Sequence, residues 1–155
     1  MTILLIKSSK YANMIEYKHI DQQLTGMAGE FLTVGKLFKL GLQASVTFGN
    51  AKAIDVFAFN PMNNKTFAIQ VKTLRKKNCF LLKRENINPE HIFVFIFLNN
   101  FETSETFYIV KGETILKNIL TFYGSSYKDP DNPSKMPAIN YGSLKDYENN
   151  WGVFE

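Results

Sequence analysis

Apolar residues recur with a helical period in the first third of the chain. Between Asp21 and Leu40 six of them fall on one face at about 100° per residue. They are Leu24, Met27, Ala28, Phe31, Gly35 and Phe38. The spacing predicts an amphipathic helix over 21–40 that buries this face, with Asp21 as its N-cap and Gly41 as the residue that ends it.

Short apolar runs after this helix predict five strands. The strands are Ala44–Phe48, Ala53–Phe59, Thr66–Lys72, His91–Leu98 and Thr106–Val110. Residues 60–65 have the composition of a turn, and the Phe, Ile and Val residues of 92–98 are typical of a fully buried strand. Helical spacing returns over Glu113–Phe122, residues 124–137 form a proline-containing loop, and Leu144–Asn150 is predicted to be a short polar helix.

The order of these elements predicts an α/β domain built on a mixed β-sheet with flanking helices. We expect a single domain over 1–155, with a core over about 21–110 and a helix-and-loop tail over about 111–155. A chain of 155 residues buries a core without cross-links. The single Cys79 excludes a disulfide framework and a cysteine-rich zinc site, and two distant histidines argue against a histidine metal site.

The chain contains no apolar segment of the roughly 18–20 residues that a membrane helix needs. The first ten residues, MTILLIKSSK, have no basic region before their apolar run and no small-residue cleavage site, so they do not resemble a signal peptide. Together with the single cysteine, this predicts a cytoplasmic protein without a membrane partner.

Positive charge is concentrated in the middle of the sequence. The chain carries a net charge of +4, but residues 50–84 hold eight basic residues and one acid, Asp55. Both arginines, Arg75 and Arg84, lie in this segment, whereas residues 85–155 are net acidic. A basic segment of this kind indicates a polyanionic partner such as nucleic acid, although a solvated charged face would have the same composition.

Polar residues interrupt the apolar pattern at three places: Glu30 in GMAGE, Asp55 in AIDVF, and Gln70 with Lys72 in IQVKT. Alternation along a strand puts Gln70 and Lys72 on one face. A loop at 61–64 would place Asp55 opposite Gln70, and a two-residue turn at 63–64 would place it opposite Lys72. Either even-length loop brings the three side chains to one face, whereas an odd loop or a bulge would not.

Glu30 lies at the border of the apolar face of the predicted helix, about 90–120° from its centre. A carboxylate there would lean over the edge of the sheet. Gly26 and Gly29, in the preceding turn, each lower helix propensity by about 1 kcal/mol relative to alanine. We expect these glycines to mark a close approach of the backbone to the sheet or to a ligand.

These residues resemble the PD-(D/E)XK nuclease superfamily, above all its Mrr-like and Holliday-junction-resolvase-like branches. That family has a Glu on the first core helix, an Asp that opens the second core strand, and (D/E/Q)-x-K on the third. Glu30, Asp55 and Gln70-Val71-Lys72 match this pattern, with fourteen residues between Asp55 and Gln70. The sequence departs from it at Ala53-Ile54, where the family name has Pro, and at Gln70, where a carboxylate is usual and Mrr-like members carry Gln.

The resemblance implies a restriction-endonuclease-like fold and a metal-dependent DNA endonuclease or resolvase-like phosphodiester hydrolase. Asp55 and Glu30 would hold Mg²⁺ or Mn²⁺, helped by Gln70 and the carbonyl of Val71. Lys72 would orient or deprotonate the attacking water and stabilise the transition state.

The partner implied is DNA, bound through its phosphates by basic residues that follow the third strand. These are Arg75, Lys76, Lys77, Lys83 and Arg84. A homodimer is expected because cleavage of a duplex or a junction favours a two-fold arrangement. Two alternatives stay open: a catalytically inactive nuclease fold that binds nucleic acid, and a protein-interaction module.

Overall fold

Helix α1, Gln22–Lys39, packs on one face of a five-stranded sheet in a computed structural model of the protein. The structure describes residues 22–48, 54–124 and 137–155, so the predicted N-cap Asp21 lies outside the described residues. The strands are β1 (Gln43–Val46), β2 (Val56–Asn60), β3 (Lys65–Leu74), β4 (Phe80–Leu81), β5 (Ile92–Phe97), β6 (Thr106–Lys111) and β7 (Ala138–Ile139). Two short helices follow β6, α2 (Gly112–Lys117) and α3 (Ile119–Tyr123).

The large sheet is mixed, with strand order β1-β2-β3-β5-β6. Strands β1, β2 and β3 form an antiparallel meander, β3 runs parallel to β5, and β6 is antiparallel to β5. The predicted α/β class, a mixed sheet flanked by helices, is therefore confirmed. In the turn between β2 and β3, Asn60 pairs with Lys65, as expected for a loop at 61–64. Asn64 has φ 59°, a left-handed conformation that asparagine tolerates.

Each face of the sheet buries its own apolar cluster. Ile92, Val94 and Ile96 of β5 face α1, while Phe93, Phe95 and Phe97 face α2, α3 and the small β4-β7 sheet. All six residues of β5 are buried, which confirms the prediction of a fully buried strand. Since period-two alternation assigns each side chain to one of the faces, β5 is the central element of both layers.

The buried face of α1 differs from the prediction. Thr25, Gly29, Thr33 and Leu37 face the sheet. The large apolar residues of the predicted face are exposed instead: Leu24 by 58%, Met27 by 38%, Phe31 by 53% and Phe38 by 56%. Small side chains at the contact let the helix backbone lie close to β3, and the large side chains point away.

The second half of the chain also departs from its predicted elements. The single helix over Glu113–Phe122 is divided into α2 and α3 at Asn118, whose backbone is not helical. A 3₁₀ segment, Tyr141–Tyr147, takes the place of the helix predicted at Leu144–Asn150. The β4-β7 pair was not predicted. No helix within the described ranges is long and apolar enough to cross a membrane.

Candidate active site

A gap in the sheet next to β3 positions the candidate site. The β2–β3 ladder ends at the pair Val56–Ile69, but β3 continues to Leu74. On its other side β3 stays paired with β5 over this stretch. The edge of β3 from Gln70 to Leu74 therefore has no β2 residue opposite it. Backbone groups at this edge are available to side chains or ligands.

Asp55 lies in this gap, one residue before β2. Its backbone N–H donates to the carbonyl of Ile69 at 2.9 Å, and its own carbonyl accepts from the N–H of Thr47 at 2.9 Å. Its Oδ2 accepts a hydrogen bond from the backbone N–H of Val71 at 2.7 Å. The Asp55 carboxylate thus accepts a hydrogen bond that a backbone carbonyl of a longer β2 would otherwise accept, and this bond holds it against β3.

Glu30 approaches the same gap from α1. It is half-buried, and burial raises the pKa of its carboxyl, with the negative charge of Asp55 as a further cause. The two carboxylates are therefore within electrostatic reach of each other. Two nearby negative charges disfavour ionisation unless a cation accompanies them.

Gly29 explains how α1 brings Glu30 so close. A Cβ at Gly29 would lie 1.9 Å from Oγ1 and 2.9 Å from Cβ of Thr73 on β3. The predicted close approach is confirmed at Gly29, where the neighbour is the sheet. At Gly26 a close approach to the sheet is wrong, since a Cβ there would meet nothing within 4 Å, and an approach to a ligand stays a prediction. Only a glycine at position 29 permits this separation between α1 and β3.

Gln70 and Lys72 lie on the sheet face opposite to α1. Gln70 pairs with Phe93 and Lys72 pairs with Phe95. Both phenylalanines belong to the apolar cluster that faces α2 and α3. Gln70 is 5% exposed, and its Oε1 has no hydrogen-bond partner within the part of the chain that the structure describes. Lys72 is half-buried. Glu30 approaches the edge of β3 from the α1 side, and Oδ2 of Asp55 lies at the edge itself, bound to the Val71 N–H. That Asp55 shares a face with Gln70 and Lys72 stays a prediction.

These donors fit a hard divalent cation. Carboxylate, amide and carbonyl oxygens are the ligands that Mg²⁺ and Mn²⁺ prefer. Glu30 and Asp55 are two such carboxylates, whereas Oε1 of Gln70 is buried on the sheet face opposite to α1. The N–H and C=O of one strand residue point to the same edge, so the carbonyl of Val71 faces Asp55 as its N–H does. No cluster of three or more His, Cys, Asp or Glu side chains occurs in the described ranges.

Two cavities meet at Lys72. One of about 740 Å³ extends from Gln70 past Lys83 to His91. The other, of about 670 Å³, extends along Arg75 to Thr25 at the start of α1. Lys72 and Leu81 line both cavities. A substrate bound across Lys72 would thus extend into both cavities.

The predicted phosphate-binding residues divide into two groups. Arg75 is half-buried and its Nε donates to Oγ1 of Thr25 at 3.0 Å, so it also ties the end of β3 to α1. Lys76, Lys77, Lys83 and Arg84 are exposed. All five follow the lysine of the candidate site in the chain, and Lys83 and Arg75 line the cavities beside it.

Sequence reasoning gave no role to three residues that the structure brings to the site. Thr73 lies against Gly29, Thr25 accepts a hydrogen bond from Arg75, and His91 lines the larger cavity. The alternation that singled out Gln70 and Lys72 assigns Thr73 to the opposite, helix-facing side. The contact between Gly29 and Thr73 could have been predicted only by pairing a glycine of the helix with a small residue on the helix-facing side of β3.

A solved structure supports the nuclease fold. No family model and no curated protein matches this chain. The structure of a bacterial homing endonuclease, I-Ssp6803I, matches it with a TM-score of 0.53 and 17% sequence identity. The match covers 86% of this chain and 90% of the other. At this identity the likeness establishes the fold alone: this chain shares the fold of that endonuclease.

Proposed function

We propose that the protein is a metal-dependent DNA endonuclease or resolvase-like phosphodiester hydrolase. The observation that carries the proposal is the pair of nearby carboxylates, Glu30 and Asp55, at the edge of β3, with the Asp55 carboxylate bound to the Val71 N–H between Gln70 and Lys72 in the chain. The nuclease fold is consistent with this assignment. We further propose that the site is a glutamine variant of the PD-(D/E)XK site.

In this proposal Asp55 and Glu30 hold Mg²⁺ or Mn²⁺, with Gln70 and the Val71 carbonyl as neutral ligands. The bound cation would supply Lewis-acid stabilisation of charge on the phosphate and align a water for attack. The Val71 N–H fixes the Asp55 carboxylate, so the ligand is oriented before substrate arrives.

Lys72 is the catalytic cation. Its ammonium is a compact point charge that stabilises negative charge on the phosphate oxygens in the transition state. In its neutral form the amine would accept a proton from the attacking water. That Lys72 lines both cavities supports this role.

The basic residues after β3 bind the DNA backbone in this proposal. Exposed Lys76, Lys77, Lys83 and Arg84 contribute charge that neutralises phosphates and sets the register of the DNA. Arg75 is anchored to Thr25, so its remaining guanidinium N–H groups are held in a fixed orientation for a phosphate.

We also propose that the protein is a homodimer that pairs through α1. Leu24, Met27, Phe31 and Phe38 are spaced as a heptad seam on the side of α1 that faces away from the sheet. The occupant that we propose is the same seam of a second copy, because the site has one catalytic lysine and a duplex has two strands to cut.

A Mn²⁺-dependent cleavage assay tests the enzymatic proposal. The substrates are linear duplex, single-stranded and four-way-junction DNA, with wild type beside Lys72→Ala and Asp55→Asn. Both variants should lose at least about 100-fold in rate, since each removes a group that acts at the phosphate. Asn keeps an oxygen acceptor for the Val71 N–H, so Asp55→Asn should fold and bind DNA as well as wild type or better.

Equal cleavage by wild type and Asp55→Asn would show that the activity belongs to a contaminant. Exposed Asp146 offers a matched control, because Asp146→Asn removes one negative charge away from the proposed site. DNA binding without metal binding or cleavage in the wild type would favour the alternative, an inactive nuclease-fold binding module.

A further inference from the structure

The sheet face opposite to α1 is covered over only part of its width. The apolar cluster on this side contains Phe93, Phe95 and Phe97 of β5, together with residues of β6, the two short helices and the β4-β7 sheet. Within the described ranges it contains no residue of β1 or β2, and β3 contributes only Leu74 at its end. The layer that covers β5 and β6 therefore stops at β3 and leaves the β1-β2-β3 meander open on this face.

The register of the meander determines which residues the open face presents. Val56 and Ala58 of β2 belong to the cluster beneath α1, so alternation turns Phe57 and Phe59 to the open face. Directly paired residues of neighbouring strands share a face. The open face therefore consists of Gln43 and Ser45 on β1, Phe57 and Phe59 on β2, and Thr66 and Ala68 on β3.

The two phenylalanines are the unusual feature of this open face. A sheet with one solvated side normally carries polar residues on that side. Phe57 is instead 41% exposed, Phe59 is half-buried, and neither belongs to an apolar cluster of the described residues. The residues paired with Phe57 are Ser45 and Ala68, whose side chains are too small to cover its ring. A large part of the Phe57 ring is therefore open to a ligand.

The open face leads directly to the proposed active site. Ala68, the partner of Phe57, precedes Lys72 by four residues of β3, a separation of about 13 Å along the strand. Alternation keeps Lys72 on the same face as Ala68. The acid nearest to Phe57 along β2 is Asp55, which the proposed function assigns to a bound cation. A ligand that rests on Phe57 and carries phosphates can therefore extend along β3 toward the positive charge of Lys72.

These properties match the unpaired bases of a polynucleotide strand. Aromatic side chains on an exposed sheet face stack bases that are not paired in a duplex, and every base offers a surface for such stacking. The bases of an intact duplex are stacked on one another, so they offer no free surface to Phe57. An apolar partner would use the two rings but not Lys72, whereas a strand with unpaired bases uses both.

We propose that the open face of the meander binds a single-stranded segment of DNA next to the phosphate that is cut, with Phe57 and Phe59 stacking its bases. This inference rests on the proposed nuclease function and names its substrate class: DNA with a single-stranded segment, such as a tail or a flap. The segment lies over Ala68 and its backbone continues toward Lys72.

Binding of two oligomers with equal charge tests the stacking. One is an oligothymidylate of about ten nucleotides, within the usual site size, and the other is an abasic chain of the same length. Fluorescence anisotropy in EDTA measures both affinities without cleavage. Wild type should bind the oligothymidylate at least about tenfold more tightly, the effect of one stacked base.

Phe57→Ala should lower this preference about tenfold while binding of the abasic chain stays the same. Phe57→Trp keeps an aromatic ring and should retain the preference. Phe57→Leu keeps apolar surface without a ring and should lose it, and it replaces Phe57→Ala if that variant fails to fold. Phe101→Ala is the matched control, because Phe101 is an exposed phenylalanine in a turn outside the meander. In Mn²⁺, Phe57→Ala should also lower the ratio of tailed-duplex cleavage to blunt-duplex cleavage.

The proposal is overturned if wild type binds both oligomers equally, or if Phe57→Ala keeps the wild-type preference. Loss of a wild-type dimer in Phe57→Ala would also overturn it, because the face would then belong to a second copy of the chain. DNA cleavage without any preference for bases would leave the nuclease function intact. Conversely, a preference that depends on Phe57, in a protein that cleaves no DNA, would support the stacking face and refute the nuclease proposal.

Discussion

Glu30 illustrates how a half-buried carboxyl beside a second carboxyl is destabilising when no cation accompanies them. Its carboxyl is half-buried and lies within electrostatic reach of Asp55, and both effects raise its pKa above the ordinary value. A carboxyl whose pKa is raised on folding favours the folded state when protonated and loses that contribution as pH rises through the folded-state pKa. At neutral pH, ionised Glu30 therefore destabilises the metal-free fold.

We expect Glu30→Gln to raise the melting temperature of the metal-free protein at pH 7. The gain should shrink as pH falls through the folded-state pKa and vanish below the ordinary glutamate pKa of 4.5, because Glu30 is then protonated in both states. Thermal unfolding from pH 4 to 8 in EDTA measures this, with Glu102→Gln in an exposed turn as the control. Added Mg²⁺ should stabilise wild type more than Glu30→Gln. A variant less stable than wild type throughout would contradict this electrostatic account.

At the scale of the element, α1 combines two faces with different tasks. Its small residues pack on β3, and a side chain at Gly29 would collide with Thr73. Its large apolar residues point outward, on the side away from the sheet. The small residues thus set the separation from β3, and the dimer proposed above would use the large apolar residues of the same helix.

The glycines of α1 should respond oppositely to alanine. Gly29→Ala should cost about 1–3 kcal/mol of unfolding free energy, the usual cost of overpacking, because a rotation of Thr73 cannot move its Cβ away. Gly26→Ala should instead stabilise by up to about 1 kcal/mol through helix propensity, since nothing lies within 4 Å of its Cβ. Urea unfolding of both variants measures the difference. Equal stability of the two would mean that α1 is not held close to β3.

The outward face of α1 should control the oligomeric state. We expect wild type to sediment as a dimer and Phe31→Glu to sediment as a monomer, because a charge in an apolar seam is left unpaired on association. Phe101→Glu is the matched control: Phe101 is 80% exposed in a turn outside α1, and its replacement should leave the dimer intact. A monomeric wild type across the accessible concentrations would refute pairing through α1.

At the scale of the whole molecule, charge is separated along the chain. The basic segment 50–84 contains β2, β3 and the exposed lysines beside the candidate site, whereas the residues after 84 are net acidic. Lys72 and Lys83 of this segment line the larger cavity, and Lys72 and Arg75 line the other. Long-range attraction would therefore concentrate a polyanion at the open edge of β3.

Reversing Lys76 and Lys77 to Glu should weaken DNA binding and make it less sensitive to salt. Each lost phosphate contact lowers the slope of log K against log salt by about 0.9, so we expect a decrease of about 1.8 for the pair. Fluorescence anisotropy at several salt concentrations measures the slope. The matched control reverses two other exposed lysines, Lys111 and Lys145. An unchanged slope for the Lys76 and Lys77 variant would exclude both from the interface.

The local pattern of apolar and polar residues determined most of the strands of this fold. Alternation and apolar runs predicted β2, β3, β5 and β6 to within a few residues, because a strand buried on one or both faces has few other ways to satisfy its side chains. The same alternation placed Gln70 and Lys72 on one face. Asp55 was singled out as the one acid of the basic segment, and the loop at 61–64 predicted the β2–β3 register that brings Asp55 to the edge of β3, since β2 and β3 adjoin in sequence.

Tertiary packing decided what local pattern could not. Periodicity identified an apolar face on α1, yet the helix buries the opposite face, because close contact at Gly29 with Thr73 required small side chains rather than large ones. Three features depend on where strands end relative to one another. They are the edge of β3 that extends beyond β2, the hydrogen bond from the Val71 N–H to Asp55, and the cavity lined by Gln70 and His91. Periodicity is a property of one segment, whereas these features are distances between segments, and only the fold sets them.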